Sequence, residues 1–154
     1  MGVCRNLTIR VLSNLKCFTD ILKLLINEGF DFGADGKIVS LSEDDIERFD
    51  YIEYDSFEKV NNVIERREQK GYSNHIVIWD KQNEDSLLLN ISKTKSEYKG
   101  FTNQYTINFS IGYGVRIKDA ERYTDFGVYL NRLIPIFVKN FMYVCQIDCC
   151  DFDS

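Results

Sequence analysis

The sequence predicts an α+β fold: a mainly antiparallel sheet with helices packed on one face. Three observations predict it. Residues 105–117 alternate, with Tyr105, Ile107, Phe109, Ile111, Tyr113, Val115 and Ile117 against Thr106, Asn108, Ser110, Gly112, Gly114 and Arg116, as in a strand with one buried face. Stretches near 13–28, 55–71 and 125–140 carry apolar residues at helical spacing. The strands of the second half follow one another through turns, without regular βαβ alternation, which argues against a parallel sheet. At 154 residues the chain fits one globular domain, 1–154, with room for a substantial core.

The elements follow in the order β-α-(short hairpin)-α-β-β-β-α-β. Residues 3–12 (VCRNLTIRVL) read as a strand with Leu7, Ile9 and Val11 on one face. Ser13 suits the N-cap of a helix running to Glu28, whose apolar stripe is Leu15, Phe18, Leu22, Leu25 and Ile26. Gly29 suits its left-handed end. Asp35-Gly36 signals a tight turn, so 30–34 and 37–41 are expected to form a short hairpin. Ser42 to Phe49 suits one or two helical turns, and Tyr51 to Tyr54 is ambiguous. Asp55-Ser-Phe-Glu58 resembles a capping box and starts a helix ended by Gly71. Phe57, Val60, Val63 and Ile64 would face inward, with Arg66, Arg67 and Glu68 outward.

His75 to Trp79 reads as a strand covered on both faces. A turn at 80–85 leads to its partner, Leu87–Ser92, and 93–102 reads as a polar loop before the long alternating strand. The last helix, Asp125 to Asn140, turns Leu130, Leu133, Ile134, Phe137 and Val138 inward, and Pro135 is expected to kink it. Met142 to Cys149 closes the chain as a strand. Thr106, Asn108, Ser110, Gly112 and Gly114 would line the open face of the sheet, a solvated side or a flat docking surface.

No apolar run approaches the roughly 18 residues of a membrane helix. The N-terminal residues lack an apolar signal core, which places the expectation in the cytoplasm, with five reduced cysteines acting as small apolar side chains. Candidate chemistries are few. A nucleophilic triad would have to use the one histidine, His75, with no nucleophile near it in sequence. Cys145, Cys149 and Cys150 lie on a strand rather than a metal-binding turn, and are expected to be mainly buried thiols. Asp31 to Ser42 mimics a calcium loop but lacks the closing acid. Gly112-x-Gly114 sits within a strand and suits a bend rather than a phosphate loop. Lys93, Lys95 and Lys99 around Tyr98 make too small a basic patch for nucleic acid. No cofactor or resident metal is called for.

The charge is concentrated. The formal net charge is -5, and residues 41–60 hold eight acids (Glu43, Asp44, Asp45, Glu47, Asp50, Glu53, Asp55, Glu58) against Arg48 and Lys59. Phe49, Tyr51, Tyr54 and Phe57 are interleaved with them. Such a field repels phosphates and steers a basic protein partner. Asp50, Tyr51, Glu53, Tyr54 and Asp55 are the expected centre of a partner-binding surface.

In its one-domain length, its lack of a catalytic set and the segment DDIERFDYIEYDSFE, residues 44–58, the chain resembles the small acidic immunity proteins of bacterial toxin competition systems. The resemblance implies stoichiometric neutralisation of a basic toxin, often a nuclease, by a tight heterodimer. A phage-encoded inhibitor of a host nucleic-acid enzyme would use the same surface. Two other classes stay open: a small enzyme or ligand-binding domain with a cleft near His75, Tyr113, Gly112 and Gly114, and a homo-oligomer or complex subunit joined through the sheet face or its edge strands.

Overall fold

The computed structural model describes residues 3–33 and 35–153. It is α+β with a mainly antiparallel sheet. The elements are β1 (Val3–Ser13), α1 (Phe18–Ile26), β2 (Phe30–Asp31), β3 (Ile38–Ser40), β4 (Ile52–Tyr54), α2 (Phe57–Gln69) and β5 (Asn74–Asp80), then β6 (Asp85–Lys95), β7 (Asn103–Ile111), β8 (Arg116–Ile117), β9 (Ala120–Thr124), α3 (Phe126–Lys139) and β10 (Tyr143–Asp153). The main sheet runs β10-β1-β7-β6-β5-β3-β4, with β2 also on β5, and β8–β9 form a separate ribbon. Among the described residues no helix is long and apolar enough to cross a membrane.

Alternation decides which face is covered. Leu7, Ile9 and Val11 of β1, Tyr105, Ile107, Phe109 and Ile111 of β7, Leu87, Leu89 and Ile91 of β6, and Ile76 and Ile78 of β5 are buried under the three helices. The helices contribute Phe18, Ile21, Leu22 and Leu25, then Val60 and Ile64, then Tyr129, Leu133, Ile136 and Phe137. Each such side chain stabilises the fold by about 1.5–3 kcal/mol. The opposite face is a polar lattice: Asn108 Nδ2 donates to Thr8 Oγ1 at 2.8 Å, and Ser110 Oγ donates to Asn6 Oδ1 at 2.9 Å.

Several local expectations give way to long-range contacts. Ser13 ends β1 instead of capping α1. Cys17 takes the N-cap position without a side-chain cap bond, and the Phe18 amide donates to Glu68 Oε1 of α2 at 2.7 Å. The 30–41 hairpin does not form, because β2 and β3 each pair with β5. Residues 42–49 form an irregular loop rather than helical turns. The cap of α2 is Ser56, one residue beyond Asp55, and accepts from the Lys59 amide. β6 runs on through Lys95, into the expected loop. The helix of 126–139 continues through Pro135, and Val138 points to solvent rather than inward.

The alternating strand stops at Ile111. Asp85 clasps the turn that follows, accepting from the Tyr113 amide at 3.2 Å and the Gly114 amide at 2.9 Å. A Cβ on Gly112 would lie 2.5 Å from Asp85 Oδ1, so only glycine fits. The hairpin from β5 to β6 is closed by buried Asp80, which accepts from the amides of Gln82 and Asn83 and from Arg132 of α3 at 2.6 Å. Cys145, Cys149 and Cys150 are exposed, not buried, because they lie on the edge strand β10, which has a neighbour on one side only. A bulge opposite Arg10 and Val11 also puts Cys145 out of phase with Cys149.

Candidate functional site

The acidic segment folds as a loop held from beneath. The Asp45 carboxylate accepts from the amides of Arg48 at 3.1 Å, Phe49 at 3.0 Å and Asp50 at 2.8 Å. Desolvation pushes this carboxyl up, but the amides of Phe49, Asp50, Arg48 and Glu47 outweigh it and hold the group below its ordinary value. The turn they enforce puts Phe49 in the left-handed region, at φ 54.

Arg67 fixes the same loop from α2. It is the largest fully buried side chain, 1% exposed. Its guanidinium donates to the carbonyls of Ser42 at 2.7 Å, Asp45 at 2.7 Å, Glu43 at 3.2 Å and Ser73 at 2.7 Å. Burial lowers its pKa and the nearby Asp45 charge opposes that. The expected outward placement of Arg67 and Glu68 is therefore wrong: both side chains serve as internal partners for backbone groups. Arg67 follows Val60, Val63 and Ile64 at helical spacing, and that continuation of the apolar stripe was the available signal.

His75 forms the floor. It is 6% exposed, with the Phe49 ring stacked on it at 4.7 Å and the Tyr51 hydroxyl sharing a 3.0 Å hydrogen bond with Nδ1. Its Nε2 is buried without a protein partner, and Ser40 Oγ donates to its carbonyl at 2.5 Å. Desolvation and the Arg67 charge lower its pKa, with Asp45 acting in the opposite sense, so the ring favours its neutral form.

On the outer side the acids sort into two sets. Glu43 pairs with Arg66, Asp44 with Lys70 at 3.0 Å, Glu53 with Lys37 at 3.3 Å and Asp55 with Lys59 at 2.9 Å. Glu47, Asp50 and Glu58 make no ion pair among the described residues. Beside the free acids of the loop, Glu47 and Asp50, stand four exposed apolar side chains, Ile46, Phe49, Tyr51 and Ile52. Asp44 to Arg48, with Ser42, Asp50 and Ile52, line an open groove of about 550 Å³.

Of the residues singled out in the sequence, Asp50 and Tyr51 lie on this loop, and Glu53 and Asp55 flank it in ion pairs. Tyr54 is half-buried, its hydroxyl donating to the Leu41 carbonyl at 2.7 Å. Ile46 and Ile52 lie outside the expected set, and Glu47 and Phe49, members of the acidic-aromatic segment, lie outside its expected centre. Their signal was the mixture of large apolar residues with acids at no regular spacing, which fits neither a helix face nor a strand face.

The structure does not bring the other candidates together. His75 is roofed over, and Tyr113, 85% exposed, sits in the turn beyond the end of β7. Asp31 and Asp35 each accept from a nearby amide, of Phe32 and Lys37, rather than converging. Among the described residues no group of three or more His, Cys, Asp or Glu is placed to hold a metal ion. Comparison with family models, with curated proteins and with solved structures finds no match to this chain.

Proposed function

We propose that the protein is a stoichiometric inhibitor of the immunity type, binding a basic protein partner through the loop of residues 46–52. The observation that carries this reading is the loop's construction. Four large apolar side chains are exposed within seven residues, beside two acids without ion-pair partners, on a backbone held by Asp45 and Arg67, with the Phe49 and Tyr51 rings resting on His75. A preformed loop loses little conformational entropy when it docks. Exposed aromatic and aliphatic anchors supply contact area, and Glu47 and Asp50 supply steering and register toward lysine and arginine. Glu53 and Asp55, already paired with lysines, form the rim.

The test is capture from the protein's own cells. The immobilised chain is expected to retain a basic protein at one to one, with retention falling steeply as salt rises, and to suppress that protein's activity. Glu47→Lys combined with Asp50→Lys is expected to release it, whereas Glu84→Lys, in the exposed β5–β6 turn, leaves retention unchanged. Retention indifferent to the loop charges and to salt contradicts the reading.

A further inference from the structure

The margin of the sheet farthest from the acidic loop carries a second surface. In the main sheet β10 pairs with β1 alone, and residues 145–150 are exposed on both faces. Ile147 and Cys149 stand opposite Ile9 and Leu7, on the helix-bearing face, yet Ile147 is 43% exposed. This edge strand of eleven residues has no lysine, arginine or proline; its charges are Asp148, Asp151 and Asp153, of which Asp151 is taken up by the Thr124 amide, so the backbone edge around Ile147 is left open. At the opposite margin β4 is three residues long and flanked by ion pairs.

Phe141, just before β10, is the sharpest observation. α2 and α3 end in the same turn. The Gly71 amide bonds the Glu68 carbonyl at 2.9 Å and the Tyr72 amide the Arg67 carbonyl at 2.9 Å. The Phe141 amide bonds the Val138 carbonyl at 3.1 Å and the Met142 amide the Phe137 carbonyl at 3.0 Å. The left-handed residue is Gly71 at φ 77 in one and Phe141 at φ 62 in the other. Glycine suits that position and phenylalanine is strained there. At 89% exposure Phe141 gains almost nothing from the core in return. Glu84, Lys99 and Asp119 are left-handed and exposed as well, but they are polar; a large apolar side chain held this way without burial points to a contact outside the chain.

We propose that this contact is a second copy of the chain, with β10 paired antiparallel to β10 about a two-fold axis at Ile147. An axis at Asp148 would set two carboxylates against each other. An axis at Ile147 sets Ile147 against its own copy and Gln146 against the copy's Asp148. Counting across the bulge at Cys145, Asp151 comes level with the copy's Met142 and Tyr143. The β8–β9 ribbon is tied to Asp151 by the Thr124 amide at 2.6 Å, and it exposes Ile117 and Tyr123. The ribbon of each chain thus lies beside Phe141 of the other, and the apolar ends cover each other twice. The bulge at Cys145 confines the central pairing to 146–148, so these ends carry much of the contact. A strand from an unrelated protein has no reason to match both ends, whereas a two-fold contact matches them by symmetry and closes.

Sedimentation equilibrium of the purified chain is expected to give twice the 18.0 kDa chain mass at roughly micromolar concentration. Ile147→Lys, which opposes two charges at the axis, is expected to give a folded monomer. Phe141→Gly separates docking from folding: it is expected to weaken the dimer by roughly tenfold or more while raising the melting temperature of the monomer. A wild-type chain that stays monomeric, an Ile147→Lys variant that stays dimeric, or a Phe141→Gly variant that dimerises with unchanged affinity overturns the proposal.

Discussion

The two margins of the sheet each expose large apolar side chains, and each holds a phenylalanine in a left-handed turn, but they are built on opposite principles. At the β4 margin the strand is short, and its surface is a loop braced by buried polar groups. Phe49 rests on His75, Asp45 gathers three amides, and Arg67 gathers four carbonyls. At the β10 margin the backbone edge itself is open, the strand carries no basic residue, and Phe141 stands in solvent. A braced, charged loop suits a partner of opposite charge. An open, self-matching edge suits a copy of the same chain. One fold thus carries two exposed apolar surfaces on different supports, and the partners proposed for them differ accordingly.

The sharpest way to break the comparison is Arg67→Met. It leaves the carbonyls of Ser42, Glu43, Asp45 and Ser73 without their buried donor, and is expected to cost about 3–5 kcal/mol, read by urea denaturation. It should also free the 42–50 amides to exchange while β10 is unaffected. If the loop stays protected in that variant, Arg67 is not its anchor.

A second contrast uses one substitution at both margins. Phe49→Gly relieves a left-handed residue but removes the ring over His75, and is expected to destabilise the fold by about 1 kcal/mol. Phe141→Gly relieves the same kind of strain and loses no internal contact, so it is expected to stabilise the monomer by about 0.5–1 kcal/mol. The same sign for both in thermal melts would mean that the two phenylalanines play one role.

Smaller still is the pH effect. The folded-state pKa of His75 lies below its ordinary value near 6.5. Below that ordinary value the unfolded chain binds the extra proton, so stability present at neutral pH is lost as pH falls through the depressed folded value. The melting temperature should drop with acidification in that window, and the drop from this group should vanish in His75→Gln. Smallest is Glu47→Lys with Asp50→Lys: exposed and unpaired, these residues should change stability by less than about 0.5 kcal/mol, whatever they do to binding.

Local patterns carried much of this molecule. The alternation of 105–117 placed β7 but overran its end at Ile111, the run of Val60, Val63 and Ile64 placed α2, and the helix of 125–140 was bounded to within a residue. The failures share one cause, a local signal overruled by a distant partner. α1 starts at Phe18 because Glu68 receives its amide from fifty residues away. β7 stops at Ile111 because Asp85 clasps the turn that follows. Arg67 is charged and so reads as surface, yet it is buried because four carbonyls converge on it. The acidic segment was visible as a location. Its division into paired acids and free acids depended on lysines and arginines brought in from β3 and α2 and their flanks, which spacing along the chain does not report.

The claim that the two margins bind different things is tested most directly by titrating the captured partner against three proteins: the wild-type chain, Glu47→Lys with Asp50→Lys, and Ile147→Lys. The account predicts that the loop variant loses affinity by roughly a hundredfold or more, in line with several desolvated charge contacts, while Ile147→Lys binds the partner as the wild type does. Loss of the partner in Ile147→Lys with full binding by the loop variant would contradict it.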